Sequence, residues 1–219
     1  MYQYVFLDLD GTLTDSKEGI FNCVKYALEK MERPVPPEET LLKFIGPPLH
    51  DSYMRYCGFS EKEAHQGVSL FRERYTTIGK FENAAAPGMV EVCRRLKERG
   101  YRMALSSSKP EAMCEAICEK FGFAPFLETI TGSPPDGNDW EKADVIRETM
   151  RRLGLTEADR GVILMVGDRK FDVLGAKECG IHCVGVEFFG YAAPGELAEA
   201  GAVAVVQSAE ELEAFILSH

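Results

Sequence analysis

Residues 4–8, Tyr-Val-Phe-Leu-Asp, form a short apolar run that stops at a charge, and Leu9-Asp10-Gly11-Thr12 follow directly. A continuous apolar run of this length, closed by an Asp-Gly turn, predicts a strand buried on both faces, as in parallel sheets. Such a strand brings two carboxylates, Asp8 and Asp10, to its mouth, with a third, Asp15, close behind. Asp-Gly alone is a common turn former, so the pair acquires chemical meaning only from what the rest of the chain puts beside it.

The pattern after this strand is helical. Ile20, Phe21, Val24, Leu28 and Met31 make one stripe over 17–32, and Arg33-Pro34-Val35-Pro36-Pro37 breaks it. Helical spacing returns at 38–45, 48–57 and 61–79, with no strand pattern between 16 and 82. Beyond 82 the rhythm alternates. Helices are expected at 88–99, 110–121 (with Pro110 in its first turn), 140–153, 170–179, 194–200 and 208–217. Strands are expected at 101–105, 126–131, 161–168, 182–186 and 202–206. Alternation of this kind implies an α/β fold, a doubly wound parallel sheet covered on both faces. The expected division is a core of 1–15 and 82–219 and a small all-helical domain of 16–81 inserted after the first strand. The stretches 14–17 and 80–87 would be the hinges between them. A chain of 219 residues, 45% hydrophobic, is long enough to bury such a core.

The formal net charge of −10 disfavours nucleic-acid polymers and anionic membranes as partners. An anionic substrate would need positive charge concentrated locally. The seven cysteines are odd in number, form no CxxC pair and sit mostly in apolar helical patterns, so they are expected to be reduced and buried. No segment approaches the roughly 18 apolar residues of a membrane span, and no leader is visible. The expected setting is the cytoplasm.

In open parallel sheets ligands bind outside the carboxyl ends of the strands. Asp8 and Asp10 follow the first strand. Ser106-Ser107-Ser108-Lys109 follows 101–105. Lys142 stands near a helix start after 126–131 and a loop. Gly167-Asp168 closes 161–168, with Asp172 four residues on. Each has an ordinary reading: a turn, a helix cap, a solvated lysine, an acid at a helix N-terminus. Core packing does not explain the set. Two unit charges ~4 Å apart repel by roughly 4 kcal/mol at an effective dielectric of about 20, so Asp8, Asp10 and Asp168 call for a cation. An all-oxygen donor set suits Mg²⁺. Zinc is disfavoured because none of the four histidines (50, 65, 182, 219) lies in these turns. Carboxylates, a cation, a lysine and a hydroxyl-rich turn are equipment for phosphoryl transfer, with one carboxylate as nucleophile and another moving the proton.

The segments DLDGTLTDS, ALSSSKPE, DGNDWEKADVI and MVGDRKFDVLGAKECGI resemble, in order, the four motifs of the haloacid dehalogenase (HAD) superfamily. The resemblance spans about residues 3–206. KFIGPPL and VGVEFFGYAAPGEL are similar to the phosphoglycolate phosphatase-like and 5′-nucleotidase-like branch, whose helical insert acts as a cap. The resemblance implies a Rossmann-like HAD core and a Mg²⁺-dependent phosphatase of a small phosphorylated metabolite, phosphoglycolate or a nucleoside 5′-monophosphate. Asp8 would be the phosphorylated nucleophile. Asp10 would be the general acid/base, with its backbone carbonyl on the metal; phosphatases need an acid there and dehalogenases do not. Ser107, with Ser106 in reserve, would bind the phosphoryl group together with the Ser108 amide, and Gly11 and Thr12 would line the same turn. Lys142 would steady Asp8 and the phosphoryl group. Asp168 would ligate Mg²⁺ and Asp172 would support the site from behind. Asp139 stands where close relatives often carry Arg, beside Trp140, which removes any contact that Arg would make. Lys43, Gly46 and His50 of the insert and Lys109 at the pocket mouth are candidates to face the substrate. A sugar phosphomutase and a non-catalytic phosphate and Mg²⁺ binder remain the alternative functions.

Overall fold

The computed structural model describes residues 1–134 and 140–219. In chain order, β1 is Tyr4–Leu7 and β2 Thr14–Asp15. Four helices follow: α1 Lys17–Lys30, α2 Glu38–Leu41, α3 Leu49–Cys57 and α4 Glu61–Tyr75. Then come β3 Ala84–Ala85, α5 Met89–Glu98, β4 Arg102–Pro110, α6 Glu111–Lys120, β5 Leu127–Ser133 and α7 Lys142–Arg152. The chain continues with β6 Ile163–Gly167, α8 Lys170–Glu178, β7 His182–Val186, α9 Glu196–Ala200, β8 Ala204–Val206 and α10 Ala209–Ser218.

Six strands form one sheet in the order β5-β4-β1-β6-β7-β8, and every pairing is parallel. The chain leaves β1 towards β4 and β5, then returns to its other side for β6, β7 and β8. The carboxyl end of β1 is therefore the switch point, flanked by the ends of β4 and β6. Alternate residues of β1 enter different cores, because strand side chains alternate in direction. Val5 and Leu7 join Met103, Leu105, Leu164 and Val166 under α5, α6 and α10. Phe6 joins Ala104, Ile163 and Met165 under α7, α8 and α9. This is the doubly wound α/β arrangement expected from the alternating rhythm. Six of the seven cysteines are free and buried, and Cys57 is free and partly buried. Among the described residues no helix is long and apolar enough to cross a membrane.

The chain divides into two compact units, Met1–Thr14 with Ala85–His219, and Asp15–Ala84. It crosses between them in β2 and β3, which pair as a separate two-stranded sheet. Within the helical unit, Ile20, Phe21, Val24, Ala27 and Leu28 of α1 are buried, as are Phe44, Tyr53, Phe71 and Tyr75.

Several element ends differ from expectation, each for a local reason. β4 runs on to Pro110, because its backbone pairs with β5 at Ser106 and again at Pro110, across an irregularity at residues 107–109. Pro110 is the extended residue before α6 (φ −52°, ψ 130°) rather than part of its first turn. Residues 157–162 form a 3₁₀ helix capped by Thr156, so β6 starts at Ile163. Gly195, at φ +80°, delays α9 to Glu196. Helix α4 stops at Tyr75, where the Thr76 and Thr77 hydroxyls donate back to the carbonyls of Arg72 and Arg74 at 2.8 and 3.0 Å.

Inside the helical unit, α1 meets the turn after α4 at two glycines. A Cβ on Gly19 would lie 2.1 Å from the Gly79 carbonyl oxygen, and one on Gly79 would lie 2.4 Å from Cys23 Sγ. The Gly19 amide donates to the Glu82 carbonyl at 2.8 Å. Backbone cannot yield as a side chain does, so Gly19→Ala should destabilise by about 1–3 kcal/mol. Gly58→Ala, with nothing near its Cβ and a φ of +67°, should cost about 1–2 kcal/mol for the left-handed conformation alone. Denaturant melts check both. An unchanged midpoint for Gly19→Ala would contradict the close approach.

Candidate active site

The ends of β1 and β6 and the first turns of α7 and α8 supply the charged groups. Asp8 leaves β1 with its amide donating to Val166 of β6 at 2.9 Å. Asp168 follows β6, and Asp172 lies in the first turn of α8, where its Oδ2 accepts from the Arg169 amide at 3.1 Å. Lys142 is the first residue of α7. All four side chains are buried. Lys142 Nζ lies 2.6 Å from Asp8 Oδ1, 2.7 Å from Asp172 Oδ1 and 3.0 Å from the Ser106 carbonyl oxygen. One ammonium thus ties β1, β4 and α8 together.

Glycines make the room. A Cβ on Gly11 (φ +81°) would sit 2.1 Å from Asp168 Oδ2. One on Gly167 would sit 2.2 Å from the Asp172 carboxyl carbon, and one on Gly175 would sit 2.8 Å from Lys142 Cγ. Each charged side chain occupies the space a methyl group would take.

The electrostatics are unbalanced. The carboxylates of Asp8, Asp168 and Asp172 offer oxygens within 4.8 Å of one another. Burial pushes the Asp8 carboxyl up to about 6; Lys142 pulls it down, and Asp172 and Asp10 add to the rise. Burial, with Asp172 and Asp8 beside it, raises Asp168 well above the usual carboxylate range. Burial opposes the charge on Lys142, yet Asp172 and Asp8 outweigh it and hold its pKa above that of an ordinary lysine. Asp10 stands apart from the three and pairs with Lys109. Among the described residues these four carboxylates meet the ammonium groups of Lys142 and Lys109, and Arg169, which also pairs with Glu196, lowers the Asp168 carboxyl in part.

A divalent cation fits this site. It would offset the excess of negative charge, and the buried Asp168 Oδ2 has no hydrogen-bond partner among the described residues. Asp172 is already engaged at both oxygens, by Lys142 and the Arg169 amide. Asp8 and Asp168 are thus the carboxylates best placed to hold the ion.

Of the three serines, Ser106 is buried, with its hydroxyl 3.2 Å from that of Thr149 and its carbonyl on Lys142. Ser107 is also buried; its hydroxyl is 3.5 Å from the Lys109 amide nitrogen. Ser108 is exposed. Gly11 and Thr12 form the turn after β1, where the Gly11 amide donates to Thr14 at 2.8 Å and the Thr12 hydroxyl is buried without a partner among the described residues. In the helical unit, Lys43 lies over the Tyr56 ring, Gly46 takes φ +101°, and the His50 and His65 rings lie 4.5 Å apart, tilted by 47°. Asp139 lies outside the described residues. Sequence reasoning placed Lys109 at the pocket mouth but missed its pairing with Asp10, and it missed Thr149 and the spaces at Gly167 and Gly175; only Gly167, beside Asp168, gave a hint.

The family model described as haloacid dehalogenase-like hydrolase matches residues 5–186. A 5′-nucleotidase of Pseudomonas aeruginosa is 37% identical over 196 residues, 90% of this chain and 87% of that protein. The tyrosine-protein kinase PtkA of Mycobacterium tuberculosis is 35% identical over 183 residues, 83% of this chain and 61% of that protein. The crystal structure of a predicted phosphatase from Clostridium acetobutylicum is 39% identical and superposes with a TM-score of 0.91 over 100% of both chains.

The raised Asp8 carboxyl fixes a pH dependence. Without a cation the folded state holds this proton more tightly than the unfolded chain does, at about 6 against 3.8. The associated stability, roughly 3 kcal/mol, is present below pH ~4 and lost as pH rises through about 6. A cation favours the ionised form. Mg²⁺ should therefore raise the melting temperature little near pH 5 and several degrees near pH 7.5. Equal shifts at both pH values would contradict the cluster as the binding site.

Proposed function

The chain belongs to the haloacid dehalogenase-like hydrolase family and is an enzyme acting on phosphate esters; on that premise we propose that it is a Mg²⁺-dependent phosphatase of a small phosphorylated metabolite, working through an aspartyl-phosphate on Asp8. The observation that carries this reading is the Lys142 ammonium shared by Asp8 and Asp172 beside the unpartnered Asp168 oxygen. It provides a desolvated nucleophile held in place next to a divalent-cation site.

In the proposed reaction a carboxylate oxygen of Asp8 attacks phosphorus in line. The bond from phosphorus to the ester oxygen breaks, and Asp10 gives that oxygen its proton. Water then attacks the phosphoryl group on Asp8 and passes a proton to Asp10. Inorganic phosphate leaves, and the Asp8 carboxylate and the protonated Asp10 are restored. Lys142 keeps Asp8 oriented and offsets charge on the phosphoryl oxygens. The Ser107 hydroxyl and Ser108 amide hold those oxygens; Ser106, whose hydroxyl is 3.2 Å from that of Thr149, is the weaker candidate. Gly11 and Thr12 complete the turn beneath the phosphoryl group. Asp8, the Asp10 backbone carbonyl and Asp168 would hold Mg²⁺, with Asp172 supporting through Lys142. Bound Mg²⁺ would supply charge neutralisation for the phosphoryl group.

The 37% identity to a 5′-nucleotidase favours nucleoside 5′-monophosphates as the substrate class, with phosphoglycolate the second candidate from the motif resemblance. The helical unit 15–84 is proposed as the cap that selects among them, and β2 and β3 as its hinges. The likeness to PtkA favours one further reading, phosphoryl transfer from ATP to a tyrosine; Asp8 and Asp10 would serve there too, but an acceptor site would be needed.

Phosphate release from a panel of nucleoside 5′-monophosphates, phosphoglycolate, sugar phosphates and ATP with a tyrosine peptide tests the proposal. We expect Mg²⁺-dependent release concentrated on one monoester class. Asp8→Asn should reduce it by on the order of 10³-fold or more, and Asp10→Asn by about 10²–10⁴-fold. Full activity in Asp8→Asn would exclude the covalent route. Conversion of a sugar 1-phosphate to its isomer without phosphate release would favour a mutase, and labelling of the peptide alone would favour the kinase reading.

A further inference from the structure

The two aspartates after β1 do not share a lysine. Asp8 is held by Lys142, whereas Asp10 is held through Oδ2 by Lys109, from the end of β4. This second pair is nearly dry: the Lys109 side chain is 9% exposed and that of Asp10 18%. Solvent therefore screens it far less than a surface ion pair. The other oxygen, Asp10 Oδ1, is buried and has no hydrogen-bond partner among the described residues.

The backbone that carries Lys109 is tightly held. Its carbonyl accepts from Cys114 Sγ at 3.5 Å, and a Cβ on Gly132 of β5 would lie 2.6 Å from the same oxygen. The ammonium is thus delivered from a clamped strand end. A carboxyl group otherwise turns freely about its last torsion, whereas proton transfer to a departing oxygen requires one carboxyl oxygen at hydrogen-bond distance.

We propose that Lys109 is a positioning residue for the general acid: its ammonium holds Asp10 Oδ2 and so presents Oδ1 to the leaving oxygen of the substrate. The inference rests on the phosphatase reading and adds to it a division of labour, with Lys142 serving the nucleophile and Lys109 the acid. Lys109 takes no part in bond-making; its effect passes through Asp10.

Leaving-group dependence tests this role. Phenyl phosphate releases a basic phenolate that needs a proton, while dinitrophenyl phosphate releases an anion that does not. For Lys109→Met, kcat/KM should fall about 10²-fold on phenyl phosphate and change less than about threefold on dinitrophenyl phosphate. Inhibition by inorganic phosphate should be unchanged, and Lys109→Arg should recover most of the phenyl phosphate rate. If Lys109→Met melts early, Lys109→Gln carries the same comparison. Equal losses on both esters, weakened phosphate inhibition, or no loss at all would overturn the role. Wild-type protein that releases phosphate from neither aryl ester nor any monoester of the metabolite panel would remove the phosphatase reading and this inference with it; wild-type turnover without an ester-dependent defect would remove the Lys109 role alone.

Discussion

The structure is organised around a shortage of positive charge in a dry place. Asp8, Asp168 and Asp172 gather at the ends of β1 and β6 around the Lys142 ammonium, Asp10 pairs with Lys109 beside them, and Arg169 draws on Asp168 while it is itself paired with Glu196. At separations of a few ångströms such groups repel by several kcal/mol each unless a cation or protons intervene. The raised carboxyls of Asp8 and Asp168 are the protein's answer without a cation. The phosphatase proposal amounts to Mg²⁺ replacing those protons, which leaves Asp8 ionised and able to attack.

The fold makes that arrangement tolerable. Both faces of β1 are packed, with Val5 and Leu7 in one core and Phe6 in the other, so the strand end cannot shift to relieve repulsion. Gly11, Gly167 and Gly175 leave the spaces that Asp168, Asp172 and Lys142 fill. Glycine weakens a strand or helix by roughly 0.5–1 kcal/mol relative to alanine, and here that loss is what brings opposite charges from different elements into contact. Stability is given up locally so that these charged side chains can meet.

The α/β class and the alternation of elements were legible because buried parallel strands read as apolar runs and helices as stripes. Element ends were less so. Ser106–Lys109 reads as a turn because its side chains are polar, yet its backbone continues in the sheet, since pairing depends on amides and carbonyls rather than on side chains. The charged groups later found together, Asp8, Lys142, Asp168 and Asp172, were legible from their places after successive strands. What could not be read was pairing at a distance. Lys109 meets Asp10 across 99 positions, and Thr149 meets Ser106 across 43. No spacing rule within one element reports such contacts, which arise from strand order and the clamp between β4 and β5.

The central claim is that Asp8 carries the phosphoryl group during turnover. Rapid acid quenching of the enzyme with substrate and Mg²⁺, followed by peptide mass spectrometry, tests it most directly. The account predicts a phosphoryl mass on the peptide containing Asp8, present only with Mg²⁺ and absent from Asp8→Asn. Steady hydrolysis with that peptide unmodified at every quench time, or with the phosphoryl group on another residue, would contradict it.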